Sequence, residues 1–281
     1  MMNLKELLKK ADEGGYAIPA FNYSDIWDLL AIIEAAEEEK SSVIISSNPL
    51  VAKAIGIDYL AAIGKISVHL AKVPLIHHLD HSTRFELCAE CVEKGYPSVM
   101  IDGSALRLEE NIALARKVVE FAHPKGVCVE GELGRIKGKS IEGKYKGEDF
   151  LINVEEAIRF VKETKVDSLA IGIGTAHGFY KARPELNFER LAEVNEAIKI
   201  PLVLHGGTGI PDEDIKKAIS LGINKVNIGT IIHCTYMNSL KEELNKRDKN
   251  PYTLEVLLPV KEEIKKVVKE KIRICGSSEK M

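Results

Sequence analysis

The chain has no run approaching 18 consecutive apolar residues, so the sequence offers no membrane-spanning helix of ordinary length. It also lacks a dominant charge. With 39 basic and 42 acidic residues the formal net charge is −3, and nothing in that balance draws the chain toward nucleic acid or an anionic membrane surface. Cysteine is sparse and unpaired in pattern: Cys88, Cys91, Cys128, Cys234 and Cys275 are an odd set without the spacing of a disulfide framework. Cys88 and Cys91 have the spacing of a redox or zinc pair, but they fall at i, i+3 in a helical pattern. They read as packed, reduced thiols, which fits a cytoplasmic protein. No linker and no low-complexity stretch interrupts the chain. The first ten residues spread Lys and Glu where a signal peptide needs an apolar core, and they read as an amphipathic helix.

What the chain does have is an ordinary globular composition, 45% hydrophobic and 29% charged, in 281 residues. That length accommodates one large domain, and α/β barrels routinely use about 250 residues in a single one. Eight strand-like apolar runs alternate with helical patterns: Tyr16–Phe21, Ser42–Ser46, Val73–His78, Ser98–Ile101, Gly126–Gly131, Ser168–Ile173, Pro201–Leu204 and Lys225–Ile228. The runs are nearly continuous rather than alternating, as expected of parallel strands covered on both faces. Between them, sets such as Leu29-Ile32-Ile33-Ala36 and Ile215-Ala218-Ile219 repeat at helical spacing. Eight such repeats predict a single-domain (β/α)8 TIM barrel over residues 1–281, with an extra helix at the C-terminal end. A doubly wound sheet fits less well, because polar residues close all the strands instead of clustering at one switch point. The polar segment Arg135–Asp149, rich in Gly and Lys, is too long for a simple turn and reads as an active-site loop.

The strand ends carry the chemistry. In chain order they offer Asn22, Ser47, Asp80 with His81, Asp102, Glu132, His177, His205 and Asn227, and a barrel brings its C-terminal strand ends to one mouth. Three imidazoles, His81, His177 and His205, with an open position match the catalytic pattern of zinc, although ligand type alone leaves cobalt or manganese equally open. Asp80 and His81 are neighbours and cannot both point inward from regular strand geometry, so one of them must lie beyond the strand. Asp80 fits either a general acid–base or a carboxylate that orients a histidine. The turn Gly206-Gly207-Thr208-Gly209 runs from strand seven toward a helix, where bare backbone N–H groups suit a phosphate, and Lys181 offers a cation nearby.

These motifs, taken together, resemble a known family. His78-Leu79-Asp80-His81-Ser82, Ser98-Val99-Met100-Ile101-Asp102-Gly103-Ser104, Val129-Glu130-Gly131-Glu132-Leu133-Gly134, Gly174-Thr175-Ala176-His177-Gly178, Leu204-His205-Gly206-Gly207-Thr208-Gly209 and Lys225-Val226-Asn227-Ile228-Gly229-Thr230 are similar to those of class II, metal-dependent ketose-bisphosphate aldolases. The branch is the one containing the fructose- and tagatose-bisphosphate enzymes, and the likeness spans essentially the whole chain. It implies reversible cleavage of a ketose 1,6-bisphosphate to dihydroxyacetone phosphate and glyceraldehyde 3-phosphate through a zinc-stabilised enediolate, with no Schiff-base lysine. It implies zinc on His81, His177 and His205, a second or alternate metal position at Asp102 and Glu132, and proton exchange with the C4 oxygen by Asp80. Gly178, Lys181, Gly206, Gly207, Thr208, Gly209, Asn227, Ile228, Gly229 and Thr230 match the dihydroxyacetone-phosphate site. Asn22 and Ser47 match residues on the aldehyde side. A sodium or potassium ion near the phosphate and a homodimer or homotetramer are further implications.

Two positions depart from the pattern. The family loop after Glu132-Leu133-Gly134 usually carries acids that handle the C3 proton; here the nearest is Glu142. Relatives commonly place an Arg after Asp-Pro near the C-terminus to reach the distal phosphate, whereas this chain has Asn250-Pro251-Tyr252. Tyrosine lacks the charge and fork of a guanidinium, which points to a related aldolase with another aldehyde partner as the alternative. A non-catalytic companion subunit of such an aldolase is the non-enzyme reading, and a barrel hydrolase is disfavoured because the first strand ends in Phe21-Asn22 rather than His-x-His.

Overall fold

The computed structural model describes residues 3–134, 151–176, 178, 183–247 and 249–281. Eight parallel strands close into a barrel in strict chain order: β1 (Ile18–Asn22), β2 (Val43–Ser47), β3 (Leu75–Ser82), β4 (Ser98–Ile101), β5 (Cys128–Leu133), β6 (Ser168–Ile171), β7 (Leu202–Leu204) and β8 (Ile223–Ile228). The sequence-predicted (β/α)8 barrel is the fold. Helices α1 (Leu4–Gly14), α2 (Ile26–Glu38), α3 (Pro49–Ile55), α4 (Ile57–Leu70), α5 (Phe85–Glu93), α6 (Leu108–Ala122), α7 (Val154–Thr164), α8 (Phe188–Ala197), α9 (Asp212–Ser220), α10 (Thr230–Asn245) and α11 (Thr253–Ile274) complete it. The extra C-terminal helix is α11, whose Val256, Val260, Ile264, Val268 and Ile272 recur at four-residue spacing and are buried, with α2 packed alongside. No helix among the described residues is long and apolar enough to cross a membrane.

Strand alternation sorts the side chains into an outer and an inner set. Outward residues such as Phe21, Ile45, Leu79, Val99, Val129, Leu169, Leu204 and Ile228 join the helices in the main core. The inner set is layered. At the N-terminal ends of the strands Ile18, Ile44, Ile76 and Cys128 meet Leu4, Leu7, Leu8 and Ala11 of α1, which closes the base of the barrel. Asn3 starts that helix with a capping box to Glu6, and Gly15 ends it in the left-handed region. Above lie Met100, Ala170 and Val203. Toward the mouth the inward positions turn polar, with Asn22, His78, Asp80, Glu130, Glu132, Lys225 and Asn227.

Strand β3 runs on to Ser82, although its apolar run predicts an end at His78. Its last residues are wholly buried because polar partners receive them inside the barrel. At the same point the register with β4 shifts between Leu79 and Ser82, a bulge in the ladder. His81 sits there with φ of 50°, in the left-handed region that a non-glycine residue rarely adopts.

Candidate active site

The bulge answers the alternation problem at Asp80 and His81. A regular strand would turn one of them outward; the left-handed turn at His81 brings both to the mouth. The two oxygens of Asp80 are each fixed by an amide. Asn22 Nδ2 donates to Oδ2 at 2.8 Å from the end of β1, and Asn227 Nδ2 donates to Oδ1 at 3.0 Å from β8. Burial alone would raise the Asp80 carboxyl, but the rings of His81 and His205 beside it, with Lys225 and His78 below, outweigh that and hold it well under the usual carboxylate range. Asp80 is therefore an ionised carboxylate held in one orientation.

His81 and His205 meet edge to edge, His205 Nδ1 lying 2.7 Å from His81 Nε2. The other nitrogen of each ring faces a carboxylate. His81 Nδ1 is 3.2 Å from Asp102 Oδ2 and 3.7 Å from Glu132 Oε2, and His205 Nε2 is 3.0 Å from Glu130 Oε1. When each ring's proton lies on the nitrogen that faces its carboxylate, two lone pairs confront each other across the 2.7 Å edge, an arrangement that needs a cation or a shared proton. Burial opposes charge on His81, yet Asp80, Asp102 and Glu132 prevail and lift its pKa to about 10. Burial and the nearby Asp102 charge lift Glu132 as well, whereas for Asp102 the contacts with His81 and Ser104 outweigh burial and hold its carboxyl below the ordinary value. Glu132 Oε2 is buried and has no hydrogen-bond partner among the described residues. Two groups have ligand atoms within 4.8 Å of one another: Asp80, His81 and His205, and His81, Asp102 and Glu132. Donor chemistry, orphaned oxygen and charge all fit a divalent cation.

The turn after β7 lies against the same rim. Gly206 and Gly209 both have positive φ, and a side chain at Gly206 would collide with the Ala176 carbonyl. Thr208 is buried, with its Oγ1 accepting from the Ile231 N–H at 3.1 Å, which ties the turn to the start of α10. Gly229 itself offers no side-chain cap, and Thr208 takes that place from the turn after β7, so the start of α10, directly after Asn227 and Ile228, lies against that turn. Gly229 also packs on Asn22, leaving little room for a side chain. Gly178 is half-buried with φ of 98°.

Not every predicted residue joins this cluster. His177, Lys181 and Glu142 lie outside the described residues. Ser47 is a correction: the register pairs it with Leu79, an outward position, and its Oγ lies 3.1 Å from the Tyr96 hydroxyl under the helices. Ser46 is the β2 residue that pairs with inward-facing His78. Conversely, Glu130, Lys225 and Asn111 carry no role in the sequence reading, yet each supports the site. Asn111 Nδ2 donates to the Glu132 carbonyl at 2.9 Å. For Glu130 and Lys225 a signal was present, since each stands two residues before a mouth residue, Glu132 and Asn227, and so shares its inward face.

Known proteins carry the same architecture. The solved structure of the YdjI aldolase from Escherichia coli K12 superimposes with a TM-score of 0.87 at 35% sequence identity, covering 99% of this chain and 98% of that one. The fructose-bisphosphate aldolase of Campylobacter jejuni superimposes with a TM-score of 0.80 at 25% identity, covering 100% and 97%. The sequence model of the family Fructose-bisphosphate aldolase class-II matches residues 2–280. A closed barrel, an oriented Asp80 and facing histidines at its mouth thus meet a family match over nearly the whole length, and this chain belongs to the class-II fructose-bisphosphate aldolase family.

Proposed function

We propose that this chain is a cytoplasmic, zinc-dependent aldolase that reversibly cleaves a ketose 1,6-bisphosphate, fructose or tagatose, into dihydroxyacetone phosphate and glyceraldehyde 3-phosphate. The observation that carries this reading is Asp80, ionised and clamped by Asn22 and Asn227, beside the facing nitrogens of His81 and His205. A zinc ion held there by His81 and His205, with His177 as the third ligand, supplies Lewis acidity toward the ketose oxygens; cobalt or manganese offers the same chemistry. Asp102 and Glu132 orient His81 and provide a second metal position.

Asp80 takes the proton of the C4 hydroxyl during cleavage and returns it during condensation. Its two amide donors keep one carboxylate geometry through both directions. The Gly206–Gly209 turn and the start of α10, with Asn227, Ile228, Gly229 and Thr230, receive the phosphate next to C1. Gly178, Lys181 and a sodium or potassium ion complete that site, and Glu142 handles the C3 proton. A Schiff-base route is disfavoured: Lys225, the wholly buried lysine among the described residues, is ion-paired to Glu130 below the mouth. The working form is a homodimer or homotetramer.

A second reading concerns the aldehyde. Tyr252, where the resemblance leads one to expect an arginine, is 67% exposed at the start of α11 and brings no charge for a distal phosphate. That favours a related aldolase using dihydroxyacetone phosphate with a different aldehyde. The test is an NMR-resolved condensation of dihydroxyacetone phosphate with glyceraldehyde 3-phosphate, with and without EDTA, beside a set of uncharged aldehydes. An EDTA-sensitive bisphosphate supports the leading reading, and its C4 configuration names the sugar. Reaction with uncharged aldehydes alone supports the second. A zinc-loaded chain that condenses nothing is a companion subunit, and the catalytic reading fails.

A further inference from the structure

Below the mouth the barrel holds ionisable groups that the reaction never touches. Glu130 on β5 and Lys225 on β8 are both wholly buried, with Lys225 Nζ 2.6 Å from Glu130 Oε2. Ser168 Oγ lies 3.4 Å from the same oxygen. His78 closes the layer, its Nε2 3.5 Å from Lys225 Nζ and its Nδ1 2.8 Å from Ser98 Oγ. A buried ion pair is a poor way to gain stability, because a well-packed apolar pair of similar volume often does as well or better. The layers beneath it, Ile18, Ile44 and Ile76 against α1, are apolar in just that manner. The charges in this layer call for a different explanation, and the free oxygen of Glu130 supplies one by reaching upward to His205 Nε2 at 3.0 Å.

A neutral imidazole carries one ring proton, and the hydrogen bond at one nitrogen decides which nitrogen keeps a lone pair. We propose that Glu130, anchored by Lys225, is a positioning residue for the metal site: it accepts the hydrogen bond from His205 Nε2–H and thereby presents the Nδ1 lone pair to the mouth. This inference rests on the reading of His205 as a metal ligand. Two contacts agree with it. His205 Nδ1 faces His81 Nε2 at 2.7 Å, and the Asn227 amide, a donor, approaches that same Nδ1 at 3.5 Å. Lys225 contributes by holding the second carboxylate oxygen. With Oε2 tied across the barrel to β8, Oε1 faces His205. Strand β8 thus serves the mouth twice, Asn227 fixing Asp80 directly and Lys225 fixing His205 through Glu130.

The test compares two double variants that strand no buried charge. Glu130→Leu/Lys225→Met removes the acceptor, whereas Glu130→Gln/Lys225→Met keeps a neutral carbonyl oxygen in its place. Zinc affinity is read by competition with a chromogenic chelator, with circular dichroism as the check on folding. The Leu/Met variant is expected to bind zinc about 10- to 100-fold more weakly than the parent, and the Gln/Met variant to recover to within about fivefold. Independently, 15N NMR of the zinc-loaded parent is expected to find the His205 proton on Nε2. A folded Leu/Met variant with parental zinc affinity overturns the proposal, and so does a proton on Nδ1; the NMR result decides alone where that variant does not fold. A parent chain that binds no zinc overturns the metal reading, and the positioning role falls with it.

Discussion

At the base of the barrel the inward positions are Ile18, Ile44, Ile76 and Cys128, sealed by Leu4, Leu7, Leu8 and Ala11 of α1. A few residues further along the same strands, the inward positions are Asn22, Asp80 and Glu132, and the rim is completed by His81, Asp102, His205 and Asn227. Both ends obey one alternation rule, and both are buried, so burial alone does not separate structural from chemical residues. Partners do. The base residues share one apolar cluster, whereas Asn22, Asp80, His81, His205 and Asn227 are each tied to a side chain from another strand by a specific hydrogen bond. Between the two ends, Lys225 and Glu130 form a charged layer that belongs by its contacts to the mouth.

The contrast is open to attack at both ends. Asp80→Asn keeps the shape of the mouth but removes its base, and kcat should fall by about 100- to 10,000-fold with the fold intact by circular dichroism. Activity within tenfold of the parent would remove Asp80 from the reaction. At the base, Leu8→Ala should cost about 2–5 kcal/mol of stability, seen in chemical denaturation, while kcat per folded molecule stays at the parental value. A parallel fall in kcat would mean that the two ends are coupled. The smallest effect is a proton count. Because its carboxylate neighbours lift the metal-free His81 to about 10, the ring is protonated at pH 7.5, whereas a metal-bound nitrogen has shed that proton. Zinc addition to the metal-free chain should therefore release about one proton in a weakly buffered titration, and apparent affinity should tighten as pH rises toward 10. No release, or uptake, would break the picture of a proton standing where the cation goes.

Much of the barrel was legible before any coordinates. All eight strands follow from apolar runs, and helical spacing with Gly and Pro at the joints separates them. The mouth cluster followed from polar strand ends. The orientation of individual residues did not. His77, His78 and His81 stand in one short stretch, and nothing in their identity says that His77 turns outward to the Tyr23 hydroxyl at 2.9 Å, His78 turns inward to Lys225, and His81 departs from the strand altogether. A bulge is a relation between two strands, and one strand's sequence does not contain it. Ser47 went to the wrong face for the same reason, since register with β3 decides between it and Ser46. Glu130 and Lys225 were missed because charged residues inside a barrel look like strand ends until their partners are seen across the interior.

The closure of the base by α1 has a practical side. The last residues of the chain run along that same end: the Cys275 carbonyl accepts from the Ala17 N–H just before β1, the Lys280 carbonyl accepts from Ser42 just before β2, and Met281 meets Lys10 of α1. The first and last described residues therefore lie toward the pole opposite the mouth. A tether fused to either one, on a bead, an electrode or a scaffold protein, turns the catalytic rim toward the bulk solution.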